Sequence, residues 1–478
     1  MNLEDIIYLA LLIFTIVFGY YYRALTDPAL KRNVGTAVGL FVVFMVSGVH
    51  IIHPIITTII GALIILYVDK RKCHLVCFLF GFIYIFFFRS TAYFGIPYPP
   101  SHTNLVQMML TLKLIGLALE VTNSHESKKK KDNSEKTDEE KYEDEFNRID
   151  QLTFTDIFHY SFNYVGVLTG PYYKYKTYVD AIEKPYIKYD KWKVFLKEKM
   201  LFVPVFAALF LLASHYWPLS YALTDEFYNE RSFLYRWWYI WPNFFIFRMR
   251  MYTGLVLSEC ACIVAGVGLY PTFAASKPGL GPSRNFKELK ELTDPKDLEK
   301  VEYDYKTVFN ISPQGADFCT TYREGMKKWN ICIQYWLNVN VFKRFPYKKF
   351  RVLATVMTSA MWHGVYSGYY VCICTIPLAL MVEDVWVKIL HIETKHVASK
   401  PKEWLWLMYK MNMFSYQAIA FHLLEVNKIF KFYNSIYHAG LILHIILYVI
   451  GIQILKIKKR KQKHSTNNEN NVAKEKVK

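Results

Sequence analysis

A chain of 478 residues that is 53% hydrophobic and 17% aromatic holds more apolar runs than two or three soluble domains of that length would. Its net charge of +18 would suggest nucleic acid in a soluble protein. Here the basic residues gather in short loops and the tail, at Lys70, Arg71 and Lys72, at 343–351 and at 456–463, as cytosolic loops of a membrane protein do. No nucleic-acid partner is expected, and anionic membrane lipids are the natural contact of these clusters. The runs are continuous rather than alternating, which excludes a β-barrel. The expected fold is all-α: a polytopic transmembrane helical bundle of roughly 9–12 spans with further re-entrant or interfacial helices.

In chain order the apolar runs fall at 6–22, 34–49, 51–68, 75–88, 105–121, 201–213, 233–247, 254–270, 330–342, 352–366, 369–387, 404–424 and 436–455. Several are shorter than the ~20 residues needed to cross ~30 Å of hydrocarbon. Glu4 and Asp5 stand where a cleaved signal peptide would be basic, and Arg23, Lys31 and Arg32 follow the first run. The first residues are therefore expected outside the cytosol. Residues 126–145 pass from a lysine run to Glu139, Glu140, Glu143 and Asp144 and are expected to form a flexible charged loop. A second polar loop, 277–302, precedes the segment with Asn330. From 456 the chain is basic and then Asn-rich, an expected disordered cytosolic tail whose Lys474 and Lys476 have the spacing of a dilysine retrieval signal. The expected organisation is one membrane-embedded domain over 1–455 and a tail over 456–478. Cys260/Cys262 and Cys372/Cys374 lie in apolar runs without histidines at zinc spacing, so no metal site is expected. Asn310-Ile311-Ser312 is a glycosylation sequon, expected to be unmodified.

Two polar residues stand out in apolar surroundings: His363 in TSAMWHGVYSGYY and Asn330 in KKWNICIQYWL. An ionisable group at bilayer depth is costly and marks a functional cavity, and an amide can hydrogen-bond without charging. From Asn330 to Lys343 is ~20 Å of helix, and from Arg351 to His363 ~18 Å. Two antiparallel helices joined by the basic loop would hold both residues at nearly one depth. Arg248, Arg250, Tyr252 and Glu259 form a second constellation. A helix puts Arg248 and Tyr252 on one face and turns Arg250 away; an arginine there could hold a phosphate or order the site through Glu259. Trp329 and Trp362, each preceding a candidate polar residue, could wall a tunnel. There is no clustered histidine box, H-x-x-x-x-D box, G-x-S-x-G elbow or Walker loop, which leaves His363 as the best candidate base. A transporter using His363 as a proton relay is the alternative from a different class.

WNICIQYWL followed by SAMWHGVYSGYY resembles the Asn and His signatures of the membrane-bound O-acyltransferase (MBOAT) family. FFFRSTAYFGIP, TNLVQMMLTLKLIGLALEV, YSFNYVGVLTGPYYKYKTY, FFIFRMRMY and DFCTTYREGMKKWN resemble its lysophosphatidylinositol acyltransferase branch, with Ser367 standing where that branch has proline. The resemblance implies transfer of a polyunsaturated, arachidonoyl-type chain from acyl-CoA to the sn-2 hydroxyl of lysophosphatidylinositol, or of another lysophospholipid, in the endoplasmic reticulum membrane. It implies His363 as general base and Asn330 as oxyanion donor or orienting group. Acyl-CoA is then a substrate and no cofactor is called for, since the thioester is already activated; no obligate protein partner is implied.

Overall fold

A computed structural model describes residues 3–130, 137–394 and 397–475. Among them the regular structure is helical apart from one antiparallel ribbon, β1 (Tyr270–Pro271) against β2 (Tyr303–Asp304), with Tyr270 opposite Asp304. Five helices open the chain: α1 (Leu3–Ala24), α2 (Pro28–Ser47), α3 (Ile52–Tyr67), α4 (Cys73–Arg89) and α5 (Ser101–Lys130). Pro28 begins α2 where a missing N–H costs nothing, and the Asp27 carboxylate accepts from Leu30 N at 2.8 Å. Gly48, at φ 52°, separates α2 from α3 in a conformation that only glycine adopts freely.

Five stretches among the described residues are long and apolar enough to cross a membrane: α1, the α2–α3 stretch, α5, Ser367–Leu390 and Ala439–Gln462. The chain is a multi-pass helical membrane protein, but fewer helices meet the length and hydropathy of a span than the 9–12 expected from apolar runs. Runs such as 201–213, 330–342 and 352–366 fold as the helices Val203–Tyr216, Ile331–Leu337 and Arg351–His363, each too short to cross the hydrocarbon core unaided.

The chain divides into two compact units. The first comprises Met1–Ala213, Ile246–Ser312 and Trp329–Val365; the second comprises Ser214–Phe245, Pro313–Lys328 and Tyr366–Lys478. The first unit is built around α5, whose apolar window is 89% buried against 33% for α1. Leu112, Leu114, Ile115 and Leu117 of α5 share one core with Trp336 and Trp362. In the second unit, buried charges tie a turn of short helices. Lys410 donates to the carbonyls of Ala316, Asp317 and Cys319 at 3.0, 2.9 and 2.8 Å, at the C-terminal end of the helix Pro313–Phe318. Glu383 accepts from the N–H groups of Tyr322 and Arg323 at the start of Tyr322–Lys327. Each charge complements the helix dipole it faces.

The charged insert is not wholly loop. Its second half forms the helix Asp138–Phe146, opened by a Thr137/Glu140 capping box and docked on the helix Phe286–Glu291 through Lys290–Glu145 at 2.7 Å and Phe146–Phe286 ring packing. Acidic residues in its first turn favour the helix, a local signal that the low hydrophobicity masked. Residues 131–136 lie outside the described residues. The tail likewise continues the last helix, Ala439–Glu475, because propagation from a formed apolar helix is far easier than nucleation. Residues 476–478, with Lys476 of the dilysine pattern, also lie outside the described residues.

Candidate active site

Asn330 and His363 both belong to the first unit. Asn330 precedes the helix Ile331–Leu337, which a π-helical turn, Asn338–Phe342, extends; His363 ends the helix Arg351–His363. The second helix packs on the π turn and on α4, so the two arms fold back on each other across the basic loop.

Their register is fixed on α5. Trp336 Nε1 donates to Leu112 O at 3.0 Å, Trp362 Nε1 donates to Met108 O at 2.9 Å, and Arg344 of the loop reaches Asn123 at 2.6 Å. Leu112 and Met108 are one turn apart, ~6 Å along the helix. Asn330 lies six residues before Trp336, ~9 Å further toward the N-terminus of α5 and so level with about residue 106. His363 adjoins Trp362, level with Met108. The two residues thus sit within about one helical turn of each other in depth, as the loop spacing led us to expect.

The backbone around Asn330 frees its side chain. Asn330 adopts the left-handed conformation, φ 46° and ψ 52°, which asparagine tolerates better than most residues. It holds the N-cap position, yet its side chain caps nothing. Asn310 does this instead: its carbonyl accepts from Ile331 N at 2.7 Å and its Oδ1 from Cys332 N at 3.1 Å. The Asn330 carboxamide has no hydrogen-bond partner among the described residues. Asn310 is itself 1% exposed, so the sequon side chain is occupied as a helix cap.

Glu259, 1% exposed on the long helix Ile240–Ala265, holds this loop. Its Oε1 accepts from Asn310 N at 2.8 Å and Ile311 N at 2.9 Å, and its Oε2 pairs with Lys199 at 2.5 Å. Where the sequence suggested an arginine ordering the site through Glu259, the cation on this carboxylate is Lys199, and the brace runs from Lys199 through Glu259 and Asn310 to the turn at Asn330. Tyr252, buried on the same helix, packs on Trp329 at 5.6 Å, and Phe247 stacks on Trp329 at 6.0 Å. Arg248 is buried one turn before Tyr252. Arg250 is turned away as the helix phase requires: it is exposed and pairs with Asp5 at 2.7 Å, which also meets His102 at 3.2 Å. Arg250 therefore belongs to a junction of α1 and α5 rather than to the Asn330 turn. Trp362 is buried against α5, its ring 4.9 Å from the half-buried imidazole of His363.

Two residues tied to this site escaped the sequence reading. Asn310 was visible only as a sequon. Arg89, the last residue of α4, was visible only as a charge ending an apolar run; it is buried and close enough to interact electrostatically with His363. At the loop end of the arms, a cavity of about 220 Å³ is lined by His74, Phe78, Ile115, Asn340 and Arg344 among others. An imidazole and an unengaged carboxamide at one depth can together move a proton and donate to a developing oxyanion.

Residues 83–424 match the membrane-bound O-acyltransferase family, a span that includes every candidate residue above. Near-full-length relatives are named membrane-bound acylglycerophosphatidylinositol O-acyltransferases. The Drosophila melanogaster protein is 40% identical over 96% of this chain and 94% of its own. The Xenopus laevis protein is 36% identical over 99% of each, and the human protein 34% identical over 91% of each. With more than half of its length matched by the family and relatives of this similarity end to end, the chain belongs to the membrane-bound O-acyltransferases.

Proposed function

We propose that this protein acylates the sn-2 hydroxyl of lysophosphatidylinositol, with a polyunsaturated acyl-CoA of the arachidonoyl type as donor, and so remodels phosphatidylinositol in the endoplasmic reticulum. The headgroup follows from the names of the near-full-length relatives. The observation that carries the chemistry is the seating of the Asn330 and His363 arms on adjacent turns of α5.

In this reading neutral His363 accepts the proton of the sn-2 hydroxyl as its oxygen attacks the thioester carbonyl. The Asn330 N–H donates to the oxygen that gains charge. Collapse forms the ester and expels the CoA thiolate, which recovers the proton from the imidazolium as free thiol. The basic loop and the Arg344 cavity lie at the end of the arms away from His363, where the phosphates of CoA would meet positive charge while the pantetheine arm reaches inward. The tail, basic and continuous with the last helix, is assigned to the cytosolic side.

Purified wild-type and His363→Ala protein, given arachidonoyl-CoA and a panel of lysophospholipids, test the reading by thiol release and product mass. Turnover strongest with lysophosphatidylinositol and lost in the variant, which inserts and accumulates normally, is the expected result. Preference for another acceptor would overturn the headgroup assignment. Wild-type turnover in His363→Ala would overturn the base, and no thiol release with any acceptor would favour transport.

A further inference from the structure

Arg89 ends α4 inside the first unit and is only 8% exposed. Among the described residues its one hydrogen bond runs from Nη2 to the thioether sulfur of Met108 at 3.3 Å, and its Nε, fully buried, has no partner. A guanidinium carries five N–H donors and cannot shed its charge, and a thioether is a weak acceptor. No carboxylate among the described residues pairs with it. A cation at the last turn of a helix complements the dipole, but that role calls for carbonyls or water, and Arg89 donates to no carbonyl. A buried charge left this incomplete is costly unless an anion completes it.

Met108 locates this charge. The residue whose sulfur meets Arg89 also accepts, through its carbonyl, the Trp362 indole N–H, and Trp362 adjoins His363. Asn104, one turn earlier on the same face of α5, has a buried carboxamide oxygen without a partner. A donor fork in need of an anion and an acceptor in need of a hydroxyl thus meet the stretch of α5 that also seats Trp362, the neighbour of His363.

We propose that Arg89 binds the phosphodiester of the lysophospholipid acceptor and so sets its sn-2 hydroxyl against His363. This rests on the acceptor being a lysophospholipid, as argued above. The substrate's own geometry separates the two sources of phosphate. In a lysophospholipid, two carbons and one ester oxygen separate the sn-2 oxygen from phosphorus, so a group holding the phosphate lies beside the group taking the proton. In acyl-CoA the whole pantetheine arm intervenes between thioester and phosphate. Planar bidentate pairing with phosphate is what arginine does better than lysine.

The test is steady-state kinetics of full-length wild type, Arg89→Gln and Arg89→Lys, with lysophosphatidylinositol, lysophosphatidylcholine and the phosphate-free acceptor monoacylglycerol. The Gln variant is expected to raise the KM for both lysophospholipids by about ten- to a hundredfold, the loss of a charge-assisted contact. The KM for acyl-CoA should hold, and turnover of monoacylglycerol should fall by less than that of either lysophospholipid. The Lys variant, with a point charge but no fork, should fall between, and it alone decides if the Gln variant does not accumulate. Acceptor KM at the wild-type value in the accumulating variants, or a rise confined to acyl-CoA, overturns the proposal. Wild type that uses only lysophosphatidylcholine would overturn the headgroup reading, leaving Arg89 to be judged on that acceptor.

Discussion

Glu259→Gln probes the brace behind Asn330 most sharply. The carboxylate accepts from Asn310 N, Ile311 N and Lys199 at 2.8, 2.9 and 2.5 Å while almost wholly buried. Hydrogen bonds to a charged group contribute about 1.5–3 kcal/mol against about 0.5–1.5 for neutral ones. Removing the charge while keeping the shape should therefore cost about 2–3 kcal/mol over the two backbone contacts, which become neutral hydrogen bonds. Glu259→Ala, which also strands two N–H groups and Lys199, should cost about 3–5 kcal/mol. The catalytic consequence is transmitted through Asn310, which caps the helix after Asn330. A shift of about 1 Å in a reacting group lowers turnover by up to about a hundredfold, so kcat should fall by about ten- to a hundredfold with KM little changed. A double-mutant cycle with Asn330→Ala measures this directly. If Glu259 acts through Asn330, the double variant turns over no more slowly than Asn330→Ala alone. Additive losses in kcat, or a loss that tracks melting temperature only, would refute the brace.

Trp336→Phe and Trp362→Phe each remove one indole hydrogen bond to α5, about 1 kcal/mol. Their melting temperatures should fall alike, while kcat falls further in Trp362→Phe because His363 is its neighbour; equal kinetic losses would refute the register argument. Arg250→Gln breaks a partly exposed ion pair with Asp5, so stability should change by under about 1 kcal/mol and kcat should hold; a large kcat loss would return Arg250 to the site. Gly39→Ala is expected to abolish accumulation of folded protein. A Cβ at Gly39 would overlap the Phe162 carbonyl oxygen, and backbone cannot move aside as a flexible side chain can; recovery of a normally melting variant would contradict that close approach.

Much of this molecule is local and therefore legible in its sequence. Hydrophobic runs give helices in a membrane, because an isolated backbone in lipid must satisfy its own hydrogen bonds. A histidine and an asparagine stand out against those runs, and the loop between them sets two arms of nearly equal length. Helix phase alone separates Arg250 from Arg248 and Tyr252. What the tertiary structure decided is which of these groups meet. Trp362 finds Met108 across 254 residues and Trp336 finds Leu112 across 224. Glu259 turns from an arginine's partner into the holder of Asn310, and Arg89 from the end of an apolar run into a buried charge on Met108, whose carbonyl seats Trp362. Local pattern fixes which face of an element is apolar; it does not fix the partner of a polar group, which depends on where distant segments pack once the helices are formed.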